Sequence, residues 1–381
     1  MDRKHFDGDH LAFAQAFRAF ADKEIAPNFA DWERAGISPR EVFAAAGHSG
    51  FLGMAVPEPY GGGGSDDFRF NQALDEQIGY AGIGGTGLGL SLHNDICLPY
   101  FLTYTTEEQK QRWLPGIASG QAVTAIAMTE PGTGSDLAGI RTSARRDGDH
   151  YVVNGSKTFI TNGINADLII TAVRTGADRH KGVSLLVLER GMPGFERGRN
   201  LDKLGLHSQD TAELSFTDVR VPVENLLGEE GSGFAQLTAK LPQERLSIAI
   251  SAIAEARAAF EETLRYASER KAFGAAIASF QNTKFALAEM ITEIDIAEAF
   301  LDRCVNLLNS RELDTADASK AKWWCTELQG RVVDRCLQLH GGYGYMSEYP
   351  ISRRYADARI TRIYGGTTEI MKSVVSKSLG L

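Results

Sequence analysis

The sequence predicts a chain of mixed class built as three successive units: helices, then a β unit, then a helical bundle. Three observations carry this. Apolar residues recur at helical spacing in the first third. Short β-branched runs alternate with turn signals from Ala122 to about residue 232. From Phe234 the 3.6-residue period returns in long segments. At 381 residues the chain exceeds what one hydrophobic core organises, so the expected units are 1–121 (all-α), 122–232 (all-β) and 233–381 (helical bundle).

The elements follow in order. Phe13, Phe17 and Phe20 mark one helical face, and SPRE at Ser38 to Glu41 reads as a capping box with Pro39 at the first helical position. TTEE starts another helix, with Thr105 and Glu108 as its box, and Gly120 is placed to cap its end. The texture changes at AVTAIAM, Ala122 to Met128. Asp147-Gly148 and Asn154-Gly155 read as hairpin turns around YVV, and DLIITAV and VSLLVLE as further strands. In the last unit Leu246, Ile250, Ile253, Phe260 and Leu264 form one stripe; Met290, Ile294 and Leu301 form a second, and Trp324, Leu328 and Val332 a third. Long helices with short connections argue for an antiparallel bundle.

Composition narrows the function. The 43% hydrophobic and 23% charged content is that of an ordinary globular protein. A net charge of -9 argues against nucleic acid as a partner, while leaving room for an anionic ligand held by a local Arg cluster and backbone N–H groups. Cys97, Cys304, Cys325 and Cys336 lack metal or redox spacing and read as reduced, buried thiols; no metal site is expected. The opening MDRKHFDGDH has no apolar signal region and no later run is long enough for a membrane span, so a cytoplasmic protein is expected.

Several motifs admit both a structural and a chemical reading. GIGGTG, from Gly82 to Gly87, satisfies a dinucleotide fingerprint literally, but the segment before it reads as helix, so close packing of helices or a loop is expected. MTEPGTGSDL, Met128 to Leu137, follows a strand and gathers hydroxyls and backbone N–H groups, as either a turn or a ligand loop would. In KTFITNG, Phe159 and Thr161 share one face by period two. In LPQERLSIA, Glu244 and Arg245 precede an apolar helix, where an acid suits the first turn; the second reading is a carboxylate against a buried face, a candidate base. SERKAFG ends that helix with Arg270 and Lys271, as a dipole partner or a phosphate clamp. LQLHGGYGYMSEYP sets Gly341 and Gly342 either to cap a helix or to admit a ligand, and His340 reads as a core histidine.

Together and in this order, AMTEPGTGSD, KTFITNG, ERKAFG, QLHGGYGY and IYGGTTEI resemble the acyl-CoA dehydrogenase family over essentially the whole chain. Any one is weak; five in the same order are specific. The resemblance implies an N-terminal helical domain, a central β-barrel or sandwich domain and a C-terminal four-helix bundle, assembled as a homotetramer (dimer of dimers). FAD would lie between β domain and bundle. Met128, Thr129, Ser135, Phe159, Thr161 and Thr367 would touch the cofactor, with Ser135 also near the substrate. Arg270, Gln281, Gln338, Gly341 and Gly342 would hold its pyrophosphate and adenosine parts, partly across a subunit interface.

Many members carry the catalytic Glu where this chain has Gly365, after Tyr364. In the long-chain and isovaleryl subgroups the base comes instead from the position matching Glu244. The resemblance therefore implies Glu244 as base and Gly365 as donor to the thioester carbonyl, with Arg245 and Tyr364 on the substrate side. The implied reaction is FAD-dependent α,β-dehydrogenation of a long-chain or branched acyl-CoA, as in β-oxidation, with electrons passed to an electron-transfer flavoprotein. A flavin oxidase acting on a thioester or nitroalkane, or a non-catalytic flavin- or acyl-CoA-binding scaffold, are the alternatives. Glu369, one helical turn beyond Gly365, is the rival base.

Overall fold

A computed structural model describes residues 4–381; Met1 to Arg3, which begin the first expected unit and the opening segment read for a signal, lie outside the described residues. Helix α1 (Gly8–Phe20) starts on the Asp7 carboxylate, which accepts from the N–H groups of Asp9 and His10. It buries Phe17 and Phe20 and runs through a π turn (Ala21–Ile25) into α2 (Ala26–Ala35). Helix α3 (Glu41–His48) does not begin on the expected box. Ser38 is buried, and its hydroxyl is engaged with Thr86 and the Ser208 carbonyl, leaving Arg40 at the cap position with no side-chain bond to the helix N–H groups.

Next come α4 (Arg69–Ala81), α5 (Gly84–Ser91), a π turn (Leu92–Cys97), α6 (Leu98–Tyr104) and α7 (Glu107–Ala118). The box of α7 lies one residue later than expected, on Thr106 with Gln109, because Thr105 turns its hydroxyl back to the Phe101 carbonyl. Gly120 follows at φ 69, in the left-handed conformation expected of it. The GIGGTG glycines serve packing, for a Cβ on Gly85 would strike Ser208 and one on Gly87 would strike Ile78.

The β unit is one seven-stranded sheet among the described residues. Its strands are β1 (Thr124–Ala127), β2 (Ser143–Asp147), β3 (His150–Thr161), β4 (Leu168–Arg174), β5 (Val183–Glu189), β6 (Phe195–Asn200) and β7 (Thr211–Pro222). They run in the order β1-β4-β2-β3-β7-β6, with β5 beside β4. Asp147-Gly148 does turn β2 into β3, but Asn154-Gly155 is no hairpin. It is a bulge inside β3, where a Cβ on Gly155 would lie 2.7 Å from Thr142 Cα. The runs DLIITAV and VSLLVLE look continuously apolar because both faces are covered. Leu168, Ile170, Leu185 and Val187 pack under α6 and α7, while Ile169, Val173, Leu186 and Leu188 face the sheet's own core.

Helix α8 (Gly233–Glu269) opens the last unit, followed by a short hairpin of β8 (Lys271–Ala272) and β9 (Ala275–Ala276), then α9 (Gln281–Asn309), α10 (Thr315–His340), α11 (Pro350–Thr361) and α12 (Thr368–Ser378). Leu246, Ile250, Ile253 and Phe260 meet Met290, Ile294, Leu301, Leu328 and Val332 in one core. Two members of the expected stripes fall outside it: Leu264 and Trp324 are exposed, and Arg331 lies over the Trp324 ring. Gly79 of α4 admits α8 closely, since a Cβ there would stand 2.8 Å from that of Ala254. All four cysteines are buried and unpaired. No helix of the described residues is long and apolar enough to cross a membrane.

Candidate active site

Where the β unit faces α8, a cavity of about 450 Å³ opens. Leu88, Leu92 and Ile96 from the first unit and Leu241 and Ile248 from α8 give it apolar walls. Glu244 lies on the same wall, only 4% exposed. The helix starts at Gly233, so Glu244 is not in a first turn and the helix-dipole reading of it fails. Burial pushes its carboxyl up to about 7, against the pull of Tyr100, Arg245 and Lys240. Tyr100 donates from its hydroxyl to Glu244 Oε1 at 2.8 Å. A carboxylate so placed suits proton transfer near neutrality.

The turn carrying Tyr364, Gly365 and Gly366 closes one side. Gly365 at φ 64 and Gly366 at φ 104 lie where side chains are strained. A Cβ on Gly365 would enter the Ile248 side chain, and one on Gly366 would stand 2.5 Å from Met371 Cε. Two buried cations hold the turn, Arg245 from the cavity wall and Lys322 from α10. Arg245 Nε donates to the Gly365 carbonyl at 3.4 Å and Nη1 to Ser319 Oγ at 3.1 Å, while Lys322 Nζ donates to the Gly366 carbonyl at 2.6 Å. Burial, then the nearby Arg245, lowers the Lys322 ammonium to about 8. With the carbonyls so engaged, the Gly365 and Gly366 N–H groups donate to no acceptor among the described residues.

The β unit supplies the facing wall with Met128, Thr129, Ser135, Phe159 and Thr161. Phe159 does not follow the expected alternation. Its φ is 61 and the β3–β7 register breaks between Lys157 and Ile160, leaving the ring 66% exposed at the cavity. Behind this wall Lys157 is fully buried; its Nζ donates to the Met128 carbonyl at 3.0 Å and to Glu130 Oε1 at 2.9 Å. Glu130 in turn accepts from the N–H groups of Arg141 and Thr142. The loop is thereby fixed, while the hydroxyls of Thr129, Ser135 and Thr161 bond to no other described residue. A flat ring system with polar edges fits this wall: an exposed aromatic face, three unengaged hydroxyls and the backbone donors of the glycine turn.

The remaining candidates lie elsewhere. Arg270, Gln338, Gly341 and Gly342 line a second cavity of about 550 Å³ with Tyr266 and Tyr343. It shares no lining residue with the first. Gln281 is exposed at the start of α9 and lines neither cavity. Thr367 caps α12 by accepting from the Ile370 N–H. Glu369 is exposed in the first turn of α12, where nearby N–H, Thr367 and Lys372 hold its carboxyl below the usual range. His340 is a core residue, bonded to the Cys336 carbonyl at 2.9 Å and stacked on Tyr266. Among the described residues no cluster of His, Cys, Asp or Glu could hold a metal.

Sequence reasoning missed Tyr100, Lys157, Glu130 and Lys322. Lys157 carries a weak signal, a cation in the small and apolar run GSKTFI; Lys322 carries less, since Lys320 stands two residues before it. Tyr100 carries none, being one more aromatic in LPYF.

Comparison with known proteins gives matches to three family models: acyl-CoA dehydrogenase N-terminal domain over 7–121, middle domain over 125–219 and C-terminal domain over 231–380. The chain is 46% identical over 380 residues to the long-chain specific acyl-CoA dehydrogenase, mitochondrial, of Sus scrofa, covering 99% of this chain and 88% of the relative. It is similar to the crystal structure of acyl-CoA dehydrogenase from Geobacillus kaustophilus (TM-score 0.97, 50% identity, 99% of this chain and 100% of that one). It is also similar to a glutaryl-CoA dehydrogenase of Mycobacterium smegmatis in complex with FADH2 (TM-score 0.92, 28% identity, 99% and 95%).

Proposed function

The chain belongs to the acyl-CoA dehydrogenase family, and from that premise we propose that Glu244 is the base of its FAD-dependent dehydrogenation of an acyl-CoA thioester. One observation carries the proposal: the carboxylate on the wall of the apolar cavity is buried and lies one helical turn before Ile248, against which Gly365 is packed. Glu244 takes the α-proton, and negative charge moves to the thioester oxygen. The unengaged N–H of Gly365 donates to that oxygen and favours the enolate. Arg245 and Lys322 keep the turn in the conformation that presents this donor. Met128, Thr129, Ser135, Phe159 and Thr161 hold the flavin face, and Tyr364 and Arg245 flank the substrate. FAD, when bound, takes up the two electrons that leave with the β-hydrogen.

The apolar walls support a long-chain or branched acyl group, in keeping with the long-chain enzyme of Sus scrofa. An electron-transfer flavoprotein is the acceptor in this reading. Assembly as a homotetramer is supported by the second cavity, which lies apart from the flavin-ring residues. It is supported too by Phe273, 99% exposed at the tip of the β8–β9 hairpin beside the exposed Phe280 ring. Arg270, Gln281, Gln338, Gly341 and Gly342 would then grip a partner's cofactor, while Thr367 serves the turn as a cap. Unit boundaries at 121/122 and 232/233 belong to the same reading, as β1 starts at Thr124 and α8 at Gly233. Four unpaired thiols suit a reducing compartment and a cytoplasmic location.

The test is anaerobic bleaching of the flavin band by straight and branched acyl-CoAs, with wild type beside Glu244→Gln. Bleaching of the wild type alone, with the variant still binding thioester, is expected. Equal bleaching of both would overturn Glu244 as the base.

A further inference from the structure

We propose that Tyr100 is a positioning residue for this reaction: its hydroxyl fixes one carboxylate oxygen of Glu244 and leaves the other turned to the acyl cavity. The inference rests on Glu244 being the base. Tyr100 is 0% exposed and its hydroxyl lies 2.8 Å from Oε1. Among the described residues it is the one hydrogen-bond donor to that carboxylate; Oε2 has no partner, yet it is not among the fully buried unsatisfied atoms. Since Glu244 lines the cavity, Oε2 is the oxygen left to receive a proton.

The other groups facing Glu244 do not do this work. Lys240, one turn earlier on α8, donates to Thr103 Oγ1 at 2.7 Å and lies over the Tyr104 ring. Arg245 is committed to Gly365 and Ser319. Cys97, on the π turn before α6, is a buried neutral thiol. These set the local field; Tyr100 alone supplies a directional bond. A donor to a carboxylate favours its charged form, so the same bond restrains the rise in basicity that burial imposes. Tyr100 reaches this place from α6 directly after the π turn Leu92–Cys97, a helix irregularity common where side chains are re-aimed at a site.

The experiment follows the pH dependence of anaerobic flavin reduction by an acyl-CoA in the FAD-loaded enzyme, comparing wild type, Tyr100→Phe and 3-fluorotyrosine at position 100. Tyr100→Phe should raise the midpoint by about one pH unit and slow reduction about tenfold below it. Its KM should move by less than about threefold, since the hydroxyl acts through the base rather than on the substrate. The fluorinated side chain, nearly isosteric and a stronger donor, should lower the midpoint. If Tyr100→Phe fails to load FAD, the fluorinated enzyme decides alone. Unmoved midpoints, with reduction by Glu244→Gln abolished, would overturn the role of Tyr100 and leave Glu244 as the base. Reduction persisting in Glu244→Gln would instead overturn the base reading itself.

Discussion

Glu244 and Glu369 flank the same glycine turn and end up in opposite chemical states. Glu369 lies in solvent in the first turn of α12, with N–H groups, Thr367 and Lys372 around it, and its carboxyl is held below the ordinary range. Glu244 sits in the middle of α8 against an apolar cavity, and burial drives it to about 7. A helix N-terminus in water makes a carboxylate a poor base; a helix middle facing hydrocarbon makes it one matched to neutral pH.

The largest effect should come from exchanging the buried acid. Glu244→Gln is expected to slow flavin reduction by about 10²- to 10⁴-fold, the usual reach of general base catalysis. Stability should respond in the other direction. The folded value of Glu244 lies above its ordinary 4.5, so the unfolded chain loses this proton first. As pH rises from about 4.5 to 7 the folded state is penalised, and above 7 the penalty is complete at roughly 3 kcal/mol. Denaturant unfolding of Glu244→Gln should match wild type near pH 4 and exceed it at pH 8; a constant difference would mean that the site does not strain its acid. Gly365→Ala should cost about 1–2 kcal/mol for the left-handed backbone, plus the collision with Ile248. It should show as a lower thermal midpoint together with slowed reduction. Smallest is Glu369→Gln, where both stability and reduction should be unchanged. Lost activity there would break the contrast between the two carboxylates.

Much of this was legible in the sequence. The three textures, the bundle stripes and the glycine turn follow from local periodicity and residue choice. The failures have two kinds of cause, a partner distant in sequence or a local bond of another kind, as where Thr105 turns back to the Phe101 carbonyl one turn earlier. Ser38 left its box for Thr86 and Ser208. Asn154-Gly155 became a bulge in which Thr142 leaves no room for a side chain at Gly155, and Phe159 left the strand period where β3 loses register with β7. Glu244 was nameable as a candidate base only through the family resemblance, which pairs it with the missing side chain at Gly365, and its environment was not legible. Tyr100 comes from 144 positions away, and no local pattern encodes that meeting.

Helix α8 carries Glu244 on one cavity and Tyr266 on the other, separated by roughly 33 Å at 1.5 Å per residue. In the proposed assembly each working site therefore draws on two copies of the chain, one giving the base and the other the distant grip. Mixed oligomers of a Glu244 variant and an Arg270 variant would then contain some sites with both defects and some with neither. Two chains, each inactive alone, would restore activity when co-expressed, and the fraction regained would report how many copies share a site.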